Sequence, residues 1–155
     1  MNIFLTGSSG FVGKQIVSNY DIHRHVARKL KPIENKSFFI VDSINSGTDW
    51  SMAFDDIQVV IHLAGLAHST EYSIEEYDDV NVKGAICLAS AAALSGVKRF
   101  VFVSSIGVNG TATQANPFSV DSLPNPHSEY AQSKYNAEIG LKKIAAETGL
   151  ELVII

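Results

Sequence analysis

Short apolar segments alternate along the chain with stretches in which apolar residues recur at helical spacing. Continuous apolar runs of this length are typical of parallel strands buried on both faces, and the helical spacing predicts amphipathic helices between them. The predicted strands are Asn2–Thr6, His25–Arg28, Ser37–Val41, Gln58–Ala64, Lys98–Ser105 and Leu150–Ile155. The predicted helices are Phe11–Tyr20, a short one at Asp49–Asp55, Ser73–Ser95 closed by Gly96, and one from the N-cap Ser128 to Thr148 closed by Gly149.

This order of elements predicts an α/β fold, a Rossmann-type doubly wound parallel sheet with helices on both faces. A chain of 155 residues is expected to form one domain. Residues 107–127 contain Gly, Asn, Thr and three of the four prolines, and are predicted to form a loop. The chain stops inside the apolar segment Leu150–Ile155, so we expect it to be the first part of a longer protein.

Composition and charge exclude several classes of function. The net charge of −4, with no basic cluster, argues against nucleic acid or an anionic membrane as partner. Cys87 is the only cysteine, so no intrachain disulfide can form, and we expect an inert core thiol. The histidines at 23, 25, 62, 68 and 127 lack metal-ligand spacing, so no metal site is expected. There is no secretion leader and no apolar stretch of membrane-spanning length, so a cytoplasmic protein is expected.

Three glycines at intervals of three, Gly7, Gly10 and Gly13, connect the first strand to the first helix. In doubly wound sheets this first turn is where dinucleotides bind, because the helix N-terminus offers free amides to a pyrophosphate. A glycine triplet alone could equally serve close helix packing or a loose turn. Its position between a strand and a helix favours the phosphate-binding interpretation.

A second set of polar residues falls on the same edge of the predicted sheet. Tyr130 and Lys134 are four residues apart, so they share one face of the last helix. An ammonium beside a phenol is expected to lower the phenol pKa, which makes Tyr130 a candidate general acid/base. Ser105 ends the fifth strand, where it can either bind a substrate oxygen or cap the strand.

Taken together, these motifs resemble the extended type of short-chain dehydrogenase/reductase, over the whole chain. The motifs that carry the resemblance are TGSSGFVG after strand 1, VDS after strand 3, HLAG after strand 4, VNVKG on the next helix, SSIGVNG and YAQSK. The resemblance implies that residues 1–155 are an NAD(P)-binding domain whose substrate-binding C-terminal part is absent from the chain. It also implies a catalytic triad of Ser105, Tyr130 and Lys134.

The same resemblance implies where a nicotinamide cofactor, NAD or NADP, would lie. The implied cofactor-binding residues are Gly7, Gly10, Phe11, Val12, Gly13, Asp42, Ser43, Leu63, Ala64, Gly65, Asn81, Tyr130 and Lys134. Arg28 ends the second predicted strand, where it could pair with a 2′-phosphate and favour NADP, or could be a surface arginine.

Within the family, the chain resembles nucleotide-sugar 4-epimerases and 4-ketoreductases of surface-polysaccharide synthesis, with UDP-glucose 4-epimerase the usual name for that branch. The implied partners are a nucleotide sugar, UDP-linked, and a second copy of the chain bound through helices 73–95 and 128–148. Asn109 stands where epimerases carry tyrosine, and Ala67 near where many carry lysine. These departures keep open an NADPH-dependent 4-ketoreductase, besides a non-catalytic NAD(P)-binding module.

Overall fold

In the computed structural model, six strands form one parallel sheet. Residues 1–28, 37–67, 69, 71–113 and 116–155 are described. The strands are β1 (Ile3–Thr6), β2 (Arg24–Ala27), β3 (Ser37–Ile40), β4 (Val59–His62), β5 (Arg99–Phe102) and β6 (Glu151–Ile154). Their order across the sheet is β3-β2-β1-β4-β5-β6, with every neighbouring pair parallel. This confirms the Rossmann-type doubly wound fold.

Helices cover both faces of this sheet, as predicted. The helices are α1 (Phe11–Asn19), α2 (Ile74–Tyr77), α3 (Gly84–Leu94) and α4 (Glu129–Thr148). Ile16 and Val17 of α1 pack with Leu5 on one face. The apolar sides of α3 and α4 pack with Phe4, Val60 and Phe100 on the other. No helix in the described ranges combines the length and the apolar character needed to cross a membrane.

The helix predicted at Asp49–Asp55 is wrong, because this segment is a series of turns. Asp49 accepts a hydrogen bond from the Ser51 amide at 2.9 Å, and the Ala53 amide donates to the Trp50 carbonyl at 2.9 Å. Side-chain bonds of this kind compete with helix formation. Trp50 and Phe54 have helical spacing, but both pack against Phe4 in the core, with ring centroids 6.0 and 5.1 Å away.

The helix predicted at Ser73–Ser95 is interrupted by a π-helical turn at Asp78–Lys83 between α2 and α3. A π-turn adds one residue to the helical repeat and is frequent at functional sites. Here it contains Asn81, which is 2% exposed. At the start of α2, Ser73 and Glu76 form a reciprocal capping box. Ser128 caps α4 as predicted, accepting from the Ala131 amide at 3.1 Å.

Candidate active site

The glycine-rich turn between β1 and α1 is held in a conformation that side chains would block. Gly7 has a φ of +73°, and a Cβ there would lie 2.8 Å from the Ala64 amide nitrogen. A Cβ on Gly13 would overlap the Gly7 carbonyl oxygen and approach Ser8 Cα to 2.8 Å. The N-cap residue of α1 is Gly10, which has no side chain to occupy the first-turn amides. These amides can therefore bind an anion such as a pyrophosphate.

A cavity of about 470 Å³ opens beside this turn at the carboxyl edge of the sheet. Its walls include eight of the predicted cofactor residues: Gly7, Gly10, Arg28, Asp42, Ser43, Leu63, Ala64 and Gly65. A neighbouring hollow of about 620 Å³ continues past Ser8, Arg28, Phe38 and Asp42. The structure therefore brings residues from four strand ends together around one elongated cleft.

Three other predicted cofactor residues lie in the first turn of α1. Phe11 and Val12 have exposed side chains, 88% and 48%, while Gly13 is buried against the turn. Their backbone amides belong to the first turn of the helix, where amides without intrahelical partners can bind an anion.

The sequence left Asn81 between cofactor binding and a structural role, and in the structure its side-chain amide is engaged by protein groups. Its Oδ1 accepts from the Leu66 amide at 2.7 Å, and its Nδ2 donates to the Leu66 carbonyl at 3.1 Å and to Ser133 Oγ at 3.0 Å. Ser133 Oγ in turn donates to the Tyr130 carbonyl at 2.8 Å. Asn81 thus connects the loop after β4 to the turn of α4 that carries Tyr130.

A buried Thr6–His62 pair holds the ends of β1 and β4 together. Thr6 Oγ1 accepts from the Leu63 and Ala64 amides, at 3.2 and 3.1 Å, and lies 2.8 Å from His62 Nδ1. A hydroxyl has one proton and two lone pairs. With both lone pairs used, Thr6 donates its proton to Nδ1, so the His62 proton is on Nε2. The pair therefore fixes the loop that lines the cleft.

Replacing Thr6 with valine is expected to lower the free energy of unfolding by about 3 kcal/mol, because the Leu63 and Ala64 amides and His62 Nδ1 lose their partner. Thr6→Ser keeps the hydroxyl and should recover all but about 1 kcal/mol of this loss. Urea unfolding followed by the fluorescence of buried Trp50 measures both. Equal losses in the two variants would mean that the methyl group, not the hydroxyl, matters.

His62 should make the protein less stable in acid. Burial, and secondarily the Lys134 charge, lowers the pKa of His62 to about 3. Between this value and the unfolded pKa near 6.5, the unfolded chain binds a proton that the folded chain does not. The free energy of unfolding therefore falls as pH falls through this window, by up to about 1.4 kcal/mol per pH unit. Urea titrations at several pH values between 4 and 6 give the change of the free energy of unfolding with pH. This change should be smaller by that amount in His62→Asn than in the parent, and an identical change in both proteins would contradict the prediction.

Ser105 and Tyr130, two of the predicted triad residues, meet at the same edge of the sheet. Ser105 is the N-cap of a 3-10 turn, Ile106–Val108, and its Oγ accepts from the Gly107 amide at 3.1 Å. Its side chain acts on the Tyr130 phenol, in the first turn of α4, and lowers the pKa of that phenol, so the two side chains lie near each other. The Tyr130 ring lies against Tyr77, with centroids 6.2 Å apart. The phenol oxygen and the serine oxygen can therefore act on one substrate oxygen.

Lys134, the third triad residue, lies one turn further along α4 and is only 6% exposed. Its Nζ lies 4.3 Å from the centre of the Phe102 ring, a cation–π contact. Burial lowers the pKa of Lys134 to about 8, and the negative charge of Glu138 opposes this shift. The amine therefore titrates close to neutral pH.

The expected lowering of the Tyr130 pKa is wrong for this structure. Burial raises the Tyr130 pKa, as does the neighbouring Tyr77, while the Ser105 side chain opposes them. The Lys134 ammonium lies over the Phe102 ring. The partial burial of the phenol is the largest of the effects on the Tyr130 pKa. The neutral phenol of Tyr130 is therefore favoured over the phenolate.

Several residues of the site were missed from the sequence. Leu66, Tyr72 and Val80 line the cleft, and His62 and Tyr77 support it. Tyr77 is 2% exposed, and its hydroxyl accepts from the Ser69 amide at 3.0 Å and donates to the Ser69 carbonyl at 2.9 Å. A polar aromatic residue near the start of the predicted helix Ser73–Ser95 gives no local signal of such a role.

The remaining candidate residues do not add to the site. Cys87 is partly buried rather than in the core, and burial raises its pKa, which favours the unreactive thiol. His68 lies outside the described residues. In the described ranges, no three His, Cys, Asp or Glu side chains gather as metal ligands.

Comparison with known proteins shows which family and which relatives this chain is similar to. The family model described as NAD dependent epimerase/dehydratase matches residues 3–155. A UDP-glucose 4-epimerase of Vibrio cholerae is 38% identical over 168 aligned positions, covering 99% of this chain and 50% of that protein. A GDP-6-deoxy-D-mannose reductase of Pseudomonas aeruginosa is 31% identical over 144 positions, covering 88% and 44%.

Solved structures agree with the sequence relatives. MoeE5 in complex with UDP-glucuronic acid and NAD is similar with a TM-score of 0.82 at 29% identity, over 99% of this chain and 52% of that one. The chain spans about half the length of the curated relatives that it matches. The family match over nearly the whole chain, the strand order and the glycine turn lead to one conclusion: this chain belongs to the NAD dependent epimerase/dehydratase family.

Proposed function

We propose that this chain is the cofactor-binding part of an NAD-dependent nucleotide-sugar epimerase of the UDP-glucose 4-epimerase type. The observation that carries the proposal is the placement of Ser105 beside Tyr130, with buried Lys134 one turn away, at the sheet edge where the glycine turn opens into the cleft. A module that only binds a cofactor has no use for a phenol held against a serine at this place.

The residues along the cleft suit the three parts of NAD: the pyrophosphate, the adenosine and the nicotinamide ribose. The turn at Gly7, Gly10 and Gly13, where a Cβ would fill the space, suits the pyrophosphate together with the Phe11 and Val12 amides. Arg28, Asp42 and Ser43 lie at the adenosine end, and Leu63, Ala64 and Gly65 continue along the cleft. Tyr130 and Lys134 are assigned to the nicotinamide ribose. Because the Asn81 amide is engaged by Leu66 and Ser133, we assign it a positioning role in place of direct cofactor contact.

In the proposed reaction, NAD supplies reversible hydride acceptance at the sugar carbon. Tyr130 Oη, in its phenolate form, takes the proton of the sugar hydroxyl as that carbon is oxidised, and the resulting phenol returns it when the carbon is reduced from the other face. Ser105 Oγ donates a hydrogen bond to the same sugar oxygen and fixes its position. Lys134 is the cation one turn away whose charge can offset the burial that favours the neutral phenol.

A 4-ketoreductase is the second candidate, favoured by Arg28 in the adenosine hollow and by the similarity to GDP-6-deoxy-D-mannose reductase. Asn109 Nδ2 donates to the Ser122 carbonyl at 3.3 Å, so it supports a loop at the place of the tyrosine of epimerases. The Arg28 guanidinium would pair with the 2′-phosphate of NADP. The two candidates therefore differ in cofactor preference as well as in reaction.

The test compares binding of NAD, NADH, NADP and NADPH to the chain by calorimetry, then turnover of UDP-glucose and UDP-galactose by the intact protein. An epimerase should bind NAD at least tenfold more tightly than NADP and interconvert the two sugars without added reductant. Preference for NADPH, with consumption of reductant and of a 4-keto sugar, supports the reductase. Tight binding without turnover of either substrate class supports the binding module.

We also propose a homodimer through helices 73–95 and 128–148. Exposed apolar side chains on these segments support it: Ile74 (60%), Leu94 (87%) and Ile139 (51%). Their burial against a second copy would remove apolar area from water. Sedimentation velocity at several protein concentrations distinguishes a dimer from a monomer.

A further inference from the structure

Glu138 is a largely buried carboxylate next to the proposed triad that the reaction scheme does not use. It follows Lys134 by one turn of α4, on the same side of the helix. Its side chain is 12% exposed, and its Oε2 lies 3.3 Å from the Lys142 Nζ. Its Oε1 accepts a hydrogen bond from Ser104 Oγ at 2.5 Å. Burial of a carboxylate to this extent costs free energy unless its oxygens accept hydrogen bonds or pair with a cation.

The bond to Ser104 joins the two elements that carry the triad. Ser104 immediately precedes Ser105, beyond the end of β5, and Glu138 lies on the helix of Tyr130 and Lys134. The Ser104 amide is also held, since it donates to the Ile155 carbonyl at 2.7 Å. The segment that places Ser105 is therefore fixed through its backbone on one side and through Glu138 on the other.

Glu138 also affects the charge of Lys134. His62 of β4 and Glu138 of α4 interact electrostatically with Lys134, and the uncharged Phe102 ring of β5 lies against its amine. Tyr130 precedes Lys134 by one turn of α4, with Tyr77 of α2 against the Tyr130 ring. His62 is neutral above about pH 3. Glu138 is the member of this set that favours a protonated amine, and it opposes the loss of charge caused by burial.

We propose that Glu138 is a positioning residue of the site, which fixes the Ser105 segment to α4 through Ser104 and places a largely buried negative charge one turn from the Lys134 amine. It does not touch the substrate. The proposal rests on the proposed function in one respect only, the roles of Ser105, Tyr130 and Lys134 in the reaction. The placement and charge of Lys134 can be measured without any reaction.

The first test is Glu138→Gln, which can still accept from Ser104 but carries no charge. The ¹⁵Nζ or ¹³Cε signal of Lys134, assigned by its loss in Lys134→Met, is followed against pH in the isolated chain. The midpoint, about 8 in the parent, should fall by about one pH unit in Glu138→Gln. Glu147→Gln on the same helix is the matched control, because Glu147 is exposed and pairs only loosely with Lys143, at 3.9 Å. It should leave the midpoint unchanged.

The second test, Ser104→Ala, removes the hydrogen bond and keeps the charge. The Lys134 midpoint should stay or rise, while kcat of the intact protein falls at least fivefold because Ser105 is less firmly placed. An unchanged midpoint in Glu138→Gln, a lowered midpoint in Ser104→Ala, or an unchanged kcat in Ser104→Ala would each overturn the proposal. If Glu138→Gln does not fold, the Ser104→Ala results decide alone. Failure of the proposed function would instead appear as parent protein without cofactor binding or turnover, with the Lys134 titration still readable.

Discussion

Replacing Gly13 with alanine should weaken NAD binding at least about 100-fold, which corresponds to about 3 kcal/mol. The new Cβ would overlap the Gly7 carbonyl oxygen and lie 2.8 Å from Ser8 Cα, so it meets backbone that no side-chain rotation can move. Relief requires displacement of the turn itself, and with it the amides proposed to bind the pyrophosphate. Overpacking of this kind also lowers the free energy of unfolding, by about 2 kcal/mol. Calorimetry and urea unfolding measure the two effects.

The matched control for Gly13→Ala is Gly47→Ala. A Cβ on Gly47 would lie 3.5 Å from Asn45 Oδ1, an ordinary contact. We expect its stability within about 0.5 kcal/mol of the parent and its affinity for NAD within about twofold. A Gly13→Ala protein that is less stable but binds NAD normally would show that the turn packs the helix and does not bind the cofactor.

The sheet could be predicted because its central strands, β1 and β4, are short apolar runs whose burial on both faces leaves little choice of structure. Val59 and Val60 illustrate this, with 7% and 0% exposure on opposite faces of β4. The segment around Trp50 and Phe54 could not be predicted in the same way. Its apolar spacing suits a helix, but the bond between the Asp49 carboxylate and the Ser51 amide favours turns.

Residues of the site were predictable where a local motif contains them, as for the glycine turn or Tyr130 and Lys134. The Thr6–His62 pair joins residues 56 positions apart, and it depends on the register of β1 with β4, in which these two residues are direct partners. The role of Glu138 likewise depends on how α4 lies over the end of β5. The direction of the Tyr130 pKa was wrong because spacing on a helix predicts proximity to Lys134 but not the depth of burial.

Tyr130→Phe should lower kcat of the intact protein by about 1,000-fold, within the range that general acid–base catalysis contributes. The change removes one oxygen, and the remaining ring can keep its contact with Tyr77. Since the Tyr130 oxygen, as phenolate, is the group proposed to take the sugar proton, no atom of phenylalanine can replace it. The dissociation constant for NAD should stay within about threefold of the parent, because most of the cleft is formed by residues of other elements.

Tyr135→Phe provides the matched control, since Tyr135 lies on the same helix but on a different face, five residues on. It should leave kcat within about twofold of the parent. If Tyr130→Phe loses turnover but keeps NAD binding, while Tyr135→Phe keeps both, catalysis is separated from binding. In a binding module, neither tyrosine change would alter a measured activity. Equal turnover in parent and Tyr130→Phe would therefore remove the phenol from the reaction. The cleft and its glycine turn would then support only the cofactor-binding part of the proposal.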